Sequence, residues 1–230
     1  MAGFIKFDDS LIKFLRQLEK NNDREWFAKN KSRYEEEVLF PALAFVEAFG
    51  PALKKISPHF RAVPKRVGGS VMRVYRDTRF SKDKTPYKTN IGIQFRHAAG
   101  KDVHAPGFYL NIEPGAIFLA AGIWAPDNPT LHKVRTLIDE YPDEWKKIAR
   151  NLTNKKAGFQ FHEGSLKKAP KGFPNDHPLL EDLKRKHFVV VKQVSKKDIQ
   201  GKAAAANTAA LFKKAAPLVQ FVCEAVELDF

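Results

Sequence analysis

The residues best suited to do chemistry in this 230-residue chain lie in one segment, residues 73–90, which reads RVYRDTRFSKDKTPYKTN. Three arginines occur there within seven residues. The arginine guanidinium presents its donors in a planar fork that matches carboxylate and phosphate oxygens. Lysines and a tyrosine follow. The pattern predicts an anion-binding site built from seven side chains: Arg73, Arg76, Arg79, Lys82, Lys84, Tyr87 and Lys88.

Strand alternation predicts that these arginines do not form one row. In an extended chain Arg76 points to the same side as Met72 and Val74, whereas Arg73 points across. Arg76 must therefore be paired or serve a ligand, because an unpaired buried cation costs on the order of several kcal/mol. Asp77 is expected to position an arginine, to cap the turn that follows, or to act as a catalytic base.

Three segments of alternating hydrophobicity at residues 70–77, 90–96 and 107–113 are followed by a segment at 116–124 that is apolar on both faces. The links between the four segments are too short for parallel crossovers. They predict an antiparallel sheet. One face carries Gln94, Tyr109 and Asn111, which face solvent or form the floor of a polar cleft. Glu113, on the same face, is the second candidate base. Phe80 is expected to anchor the loop after the first strand.

Apolar residues at helical spacing flank this sheet along the chain. Residues 11–56 predict a helical layer in which Trp26 and Phe27 are core anchors, and Asn22 with Glu25 is the expected capping pair. Further helices are predicted from Asn128 and over residues 203–227, with short strands at 158–162 and 188–194. The chain thus predicts a single α+β domain over residues 1–230, with a mainly antiparallel sheet packed against N- and C-terminal helices.

The bulk composition indicates a cytoplasmic protein that does not enter a membrane. Hydrophobic residues make up 43% of the chain, enough for a core, and no run of 18 apolar residues occurs. Asp8 and Asp9 stand where a signal peptide would need its apolar centre, so no export is expected. Cys223 is the only cysteine, which fits a reducing compartment, and its Ala/Val/Phe-rich surroundings predict a buried, inert thiol.

The net charge of +14 is concentrated in two blocks. Residues 61–101 contain eleven lysines and arginines against two acids, and residues 146–197 contain fourteen against four. Such blocks indicate an anionic partner, or else a basic surface with no specific partner. Interleaved basic and aromatic residues at 183–188 also resemble a nucleic-acid surface, although no helix-turn-helix, RRM, KH or zinc-finger signature occurs.

No metal or cofactor is predicted from the remaining motifs. His97, Asp102 and His104 share one loop, but their spacing matches no zinc pattern, so no metal site is expected. Neither a glycine-rich phosphate loop nor a G-x-S-x-G nucleophile elbow occurs, and the cofactor stays unknown. Scattered histidines could act as acids or bases, and nothing in the sequence singles one out: His132, His162, His177 and His187.

The segment pattern RxxRDxRFxxxKxPY resembles the signature of the bacterial and fungal family known as domain of unknown function 2461. It is matched here by Arg73, Arg76, Asp77, Arg79, Phe80, Lys84, Pro86 and Tyr87. The segments NNDREWF, GIWAP and HPLLEDLKRKHF also resemble that family, so the likeness covers nearly the whole chain. The resemblance implies no activity, and it implies that six residues are defining positions of the family: Arg73, Arg76, Asp77, Arg79, Lys84 and Tyr87.

Three functions are compatible with these observations. The leading hypothesis is a cationic cleft that binds a phosphorylated or carboxylated small molecule, either as a binding protein or as an enzyme. The second is a sequence-tolerant nucleic-acid binding module. The third is a structural ion-pair network that clamps the sheet to the helices and takes no ligand.

Overall fold

The computed structural model describes residues 7–100 and 104–230. Helices occupy both ends of the chain, and strands fill its middle. The described helices are α1 (Asp9–Lys20), α2 (Arg24–Lys29), α3 (Lys31–Tyr34), α4 (Phe40–Ile56), α5 (Asn128–Glu140), α6 (Pro142–Thr153), α7 (Leu180–Leu183), α8 (Lys196–Ile199) and α9 (Ala204–Ala225), with a π-helical turn at Glu35–Leu39. The described strands are β1 (Ile91–Arg96), β2 (Gly107–Glu113), β3 (Ala116–Ile123), β4 (Gln160–Phe161) and β5 (Phe188–Gln193).

The strands form a five-stranded sheet in the order β1-β2-β3-β5-β4 over the described residues, and every pairing in it is antiparallel. The hairpin between β2 and β3 turns at Pro114-Gly115, where Gly115 takes a positive φ of 91°. Both the antiparallel sheet and the α+β class are confirmed.

One face of the sheet is buried under α4, α6 and α9. Phe95 and Phe108 point to this face, and the Phe212 ring of α9 lies 5.0 Å from the Phe108 ring. Phe49 of α4 packs on Phe95 at 4.6 Å. Trp145 of α6 extends the same core. Because alternate strand residues point to opposite faces, the intervening residues are left on the second face.

The predicted strand at 70–77 is wrong as a regular strand. The segment makes only isolated bridges, Val71 with Ile93 of β1 and Tyr75 with Tyr87. The segment changes partner midway, from β1 at Val71 to the stretch around Tyr87 at Tyr75. Pro86, in that second stretch, has no N–H with which to continue a ladder. The sheet therefore begins at Ile91. Burial still follows the predicted alternation, because Val74 is buried while residues 73, 75 and 77 are exposed.

Several local predictions can be compared with the fold. Phe27 is buried and Trp26 packs against the core, as expected. Cys223 is buried, and burial raises the pKa of its thiol to about 12, so the thiol stays protonated. Phe80 is 97% exposed, so its prediction as an anchor is wrong. Within residues 7–100 and 104–230, no helix combines the length and apolarity needed to cross a bilayer.

Candidate ligand site

A cavity of about 390 Å³ opens on the face of the sheet turned away from α4 and α9. In the antiparallel register Gln94, Tyr109, Ala120 and Val191 stand side by side across four strands, and all four line this sheet-face cavity. Met72, from the extended segment beside β1, forms part of the wall. Gln94 and Tyr109, two residues predicted as a cleft floor, therefore lie in one cavity.

Small residues leave the room for this cavity. Gly107, Ala120 and Gly122 lie on the open face of β2 and β3, where larger side chains would fill the space. On β1, a Cβ at Gly92 would lie 2.5 Å from the Tyr109 hydroxyl oxygen and 3.0 Å from the Met72 sulfur. The Tyr109 ring therefore occupies space that glycine leaves free.

A hydrogen-bonded group fixes the polar side of the cavity. The Tyr109 hydroxyl donates to Asn111 Oδ1 at 3.3 Å, and Asn90 Nδ2 donates to the same oxygen at 2.6 Å. Burial and the nearby Glu113 charge raise the pKa of Tyr109 to about 12, so its hydroxyl stays a donor. Asn111 is buried and also donates to the Ala116 carbonyl, so this third predicted floor residue supports Tyr109 beside the cavity.

Trp124 and His162 close one end of the cavity. Trp124 stacks on His187, with ring centroids 4.3 Å apart and an interplanar angle of 5°. The His162 ring meets Trp124 edge-on at 4.5 Å and meets His187 edge-on at 5.3 Å. An aromatic and histidine cluster thus forms from three separate segments of the chain.

The lining that the structure describes contains no Asp, Glu, Lys or Arg. Arg96 is the nearest cation by register, because it stands in the cross-strand row of Gly107, Gly122 and Val189, which all line the cavity. The Arg96 side chain is half-buried and has no acidic partner among the described residues. The described lining is therefore uncharged, and Arg96 is the nearest cation by strand register.

Arg76 is internally paired. Its guanidinium contacts the Asp83 carboxylate and donates to the Thr85 hydroxyl, and the side chain of Arg76 is 27% exposed. Asp83 also accepts from the Thr85 backbone N–H at 2.9 Å. The half-buried guanidinium thus has the partner that the sequence required, supplied by its own loop.

Asp77 holds Arg79. The Arg79 guanidinium donates to both carboxylate oxygens, at 3.0 and 2.7 Å, and the Arg79 backbone N–H donates at 3.2 Å. Both side chains are exposed on the side of the segment opposite Val74. Of the roles expected for Asp77, positioning an arginine and closing the turn are the two that these contacts show.

Tyr87 lies in the aromatic core. Its ring stacks on Phe27 with centroids 4.0 Å apart, and it is 5% exposed. The Asn22 side chain clamps the Tyr87 backbone, accepting from its N–H at 3.0 Å and donating to its carbonyl at 2.9 Å. Lys84 donates to the Thr78 carbonyl at 2.9 Å. These contacts hold the loop in shape.

Three of the predicted anion-binding cations form no salt bridge among the described residues: Arg73, Lys82 and Lys88. The charge of Arg73 nevertheless contributes to the lowered pKa of Asp77. Burial, and next the charge of Arg73, lowers the pKa of Lys88. Burial and the Arg73 charge both disfavour the charged form of Lys88, and a nearby anion would offset both of these effects. The predicted cradle of seven side chains is therefore divided, with four engaged in the loop and three left available.

The two histidines of the loop between β1 and β2, His97 and His104, contact different backbone carbonyls. His97 is buried, and its Nε2 donates to the Asp229 carbonyl at 2.9 Å, because its Nδ1 accepts from the Ala99 N–H. His104 Nδ1 lies 3.1 Å from the Trp124 carbonyl oxygen. Asp102 lies outside the described residues. No group of three metal-ligating side chains occurs within the part of the chain that the structure describes.

Protonation of Asp77 and Asp83 should loosen the loop. Hydrogen bonds from Arg79 hold the pKa of Asp77 at about 2, and those from Thr85 and Arg76 hold the pKa of Asp83 at about 2. Since both values lie below the ordinary 3.8, the stabilisation is complete above that value and is lost as pH falls toward 2. A carboxyl NMR titration should show a midpoint near 2 for Asp77.

The matched variants are Arg79→Gln and Lys82→Gln. The first should move the Asp77 midpoint up toward 3.8, because it removes the guanidinium that stabilises the carboxylate. The second removes a neighbouring cation and should leave the midpoint near that of the wild type. An unchanged midpoint in Arg79→Gln would contradict the pairing.

Sequence reasoning missed Trp124 and Arg96 as site residues and did not single out His162 or His187 among the scattered histidines. Trp124 and the two histidines come from separate segments of the chain, and the pairing of β5 with both β3 and β4 brings them together. One usable signal was the alternation in β1, which puts Arg96 and Gln94 on the same face. Glu113, the second candidate base, ends β2 at the opposite end of that strand from Gly107.

Comparison with family models matches residues 10–221 to the family described as conserved hypothetical protein (DUF2461). No curated protein and no solved structure matches the chain. The segments that carry the resemblance meet in space, since Asn22 of NNDREWF clamps Tyr87 and Trp124 of GIWAP stacks on His187. Because the family match covers most of its residues, the chain belongs to the DUF2461 family.

Proposed function

We propose that the chain binds a small molecule with an apolar body and one anionic group on the open face of the sheet. The cavity of about 390 Å³ carries this proposal. Ligand cavities in proteins span roughly 300–1,000 Å³ and combine an apolar lining with a few placed polar groups. Here the apolar lining comes from β2, β3 and β5, and the placed polar groups are Gln94, Tyr109 and His162.

Arg96 supplies the partner for the anionic group. A guanidinium at the edge of an apolar cavity pairs with a carboxylate through two parallel hydrogen bonds, and such a pair is stronger where water is excluded. One cation suits a carboxylate better than a phosphate, which carries more charge. We therefore favour a carboxylated ligand over a phosphorylated one.

The cationic segment 73–90 has a different role in this proposal. Arg76 and Arg79 keep the loop in shape through Asp83 and Asp77, which supports the structural ion-pair network for that part of the segment. Arg73, Lys82 and Lys88, which form no salt bridge among the described residues, raise the local positive potential and draw anions toward the sheet.

Nucleic-acid binding is a second candidate, and one observation favours it. Phe80 is 97% exposed, and the Arg79 guanidinium lies 5.9 Å from its ring centroid. Exposed aromatic rings among cations can stack bases of single-stranded nucleic acid. This reading places the ligand on the loop and leaves the sheet-face cavity unused.

Dye binding tests the first proposal. Anilinonaphthalene sulfonate combines an aromatic body with one anionic group, and its fluorescence rises in an apolar site. We expect one-to-one binding that Ala120→Leu weakens at least tenfold, because the added side chain points into the cavity. Gln193→Leu is the matched control, since Gln193 lies on the same face without lining the cavity.

A second pair of ligands tests Arg96. Arg96→Gln should weaken the sulfonate dye roughly tenfold, about the effect of one charged hydrogen-bonded pair, and leave uncharged phenylnaphthylamine unaffected. Equal affinities in Ala120→Leu and Gln193→Leu would refute the cavity site. Direct binding of a single-stranded oligonucleotide that Phe80→Ala abolishes and that weakens steeply with salt would favour the second candidate.

A further inference from the structure

His162 lines the cavity, and a hydrogen bond fixes which of its two ring nitrogens carries the proton. Its Nδ1 lies 2.6 Å from the Glu163 carbonyl oxygen. A carbonyl oxygen only accepts hydrogen bonds, so Nδ1 carries the proton, and in the neutral ring Nε2 holds the lone pair. Nε2 has no hydrogen-bond partner among the described residues, while the ring lines the cavity.

His187 takes the opposite tautomer. Its Nδ1 accepts from the Ala125 backbone N–H at 3.0 Å, so its proton lies on Nε2. Burial, with the charges of His162 and Lys186, lowers the pKa of His187 and keeps this ring neutral. A neutral His187 beside His162 means that the pair can accept a proton at His162 without placing two charges together.

Packing fixes the His162 ring in this orientation. Its backbone N–H donates to the Val189 carbonyl at 2.8 Å, which ties the residue to β5. Trp124 lies against the ring edge-on, with an interplanar angle of 88°, and is itself stacked on His187. A base held in this way loses little entropy when it meets a substrate.

We propose that His162 is the proton acceptor of the sheet-face cavity, and that its substrates are small apolar molecules with an acidic C–H or O–H group. This inference rests on the ligand site proposed above. Nε2 takes the proton and becomes part of an imidazolium, and the electron pair of the broken bond stays on the substrate. The resulting anion lies in a cavity whose edge carries Arg96, which favours negative charge there.

A nitro-substituted benzisoxazole is a suitable probe, because its ring opening needs only a base. The ring C–H proton passes to His162 Nε2, and the C–H electron pair forms the carbon–nitrogen triple bond. The N–O bond breaks with its pair on oxygen, which gives a coloured cyanophenolate. The reaction needs neither metal nor cofactor, so the purified chain suffices.

We expect the wild type to open the probe faster than the same concentration of free imidazole, and His162→Gln to lose at least tenfold of that rate. A positioned general base contributes roughly a hundredfold or more. His132→Gln is the matched control, since His132 is an exposed histidine on α5 away from the cavity. Its rate should equal that of the wild type.

Nitrogen-15 NMR of the imidazole rings gives an independent readout without any probe. It should show an unprotonated Nε2 in His162 and an unprotonated Nδ1 in His187 at neutral pH. A protonated Nε2 in neutral His162, or equal rates in the wild type and His162→Gln, would overturn the inference. If dye binding still responds to Ala120→Leu in that case, the ligand site survives and only the proton transfer fails.

Discussion

Replacement of Gly122 by alanine is expected to lower the free energy of unfolding by more than about 3 kcal/mol, since it adds backbone strain to overpacking. Gly122 has a φ of 128°, a conformation that side-chain-bearing residues rarely adopt. A Cβ would overlap the Phe188 carbonyl oxygen and lie 3.0 Å from Val189 Cα. Both atoms belong to the β5 backbone, so neither can move without breaking the pairing of β3 with β5.

Gly115→Ala is the matched control for Gly122→Ala. Gly115 also has a positive φ, 91°, but a Cβ there would meet nothing within 4 Å. Its substitution carries the conformational cost alone, about 1 kcal/mol. Guanidinium denaturation of both variants measures the difference. Equal losses of unfolding free energy in the two variants would show that the added Cβ in Gly122→Ala causes no overpacking against β5, contrary to the geometry.

Gly122 also links stability to the proposed site. It lies in the cavity lining two residues before Trp124, and its close contact with β5 brings Trp124 against His187. Gly122→Ala should therefore lose dye binding together with sheet stability. A ligand that binds the folded chain should in turn raise the unfolding midpoint of the wild type.

The sheet could be predicted from the sequence because its signals are local. Alternation within β1 and β2, the apolar run of β3 and the Pro114-Gly115 turn predict the pairing and facing of these three strands without long-range information. The segment 70–77 shows the limit of this reasoning. Its residues do alternate in burial, but a regular strand also needs a continuous partner strand. The stretch that pairs with Tyr75 contains Pro86, which interrupts the hydrogen bonding.

The candidate site was harder to predict because its residues come from distant segments. Cations next to one another in sequence indicated an anion site, yet Arg76 and Arg79 pair with Asp83 and Asp77 of the same loop. Local charge density cannot distinguish a ligand cradle from a self-paired loop. Trp124 and the two histidines gave no local pattern, since only the pairing of β3, β5 and β4 joins them.

The Asn22 clamp is the last feature that the sequence concealed, and its loss should have the second largest effect. Asn22 was expected to cap α2 with Glu25, but Asp23 is the cap, and its side chain accepts from the Trp26 N–H. Asn22 instead satisfies both backbone groups of Tyr87.

Asn22→Ala should therefore lower the free energy of unfolding by about 2–3 kcal/mol, because two hydrogen bonds are lost and a half-buried N–H and C=O are left unpaired. Asn21→Ala is the adjacent control. Asn21 is exposed and donates only to the Gln17 carbonyl, so its loss should stay below about 1 kcal/mol.

Amide hydrogen exchange separates a local role of the clamp from a general loss of stability. In Asn22→Ala, exchange should accelerate relative to the wild type at the N–H groups of Arg76 and Lys88, which bond to the Pro86 and Val74 carbonyls. The acceleration should be smaller at the N–H groups of β2 and β3. Since the clamp joins NNDREWF to the cationic segment, exchange should rise only where that segment is held. Uniform acceleration across the sheet, or equal losses for Asn21→Ala and Asn22→Ala, would contradict the clamp.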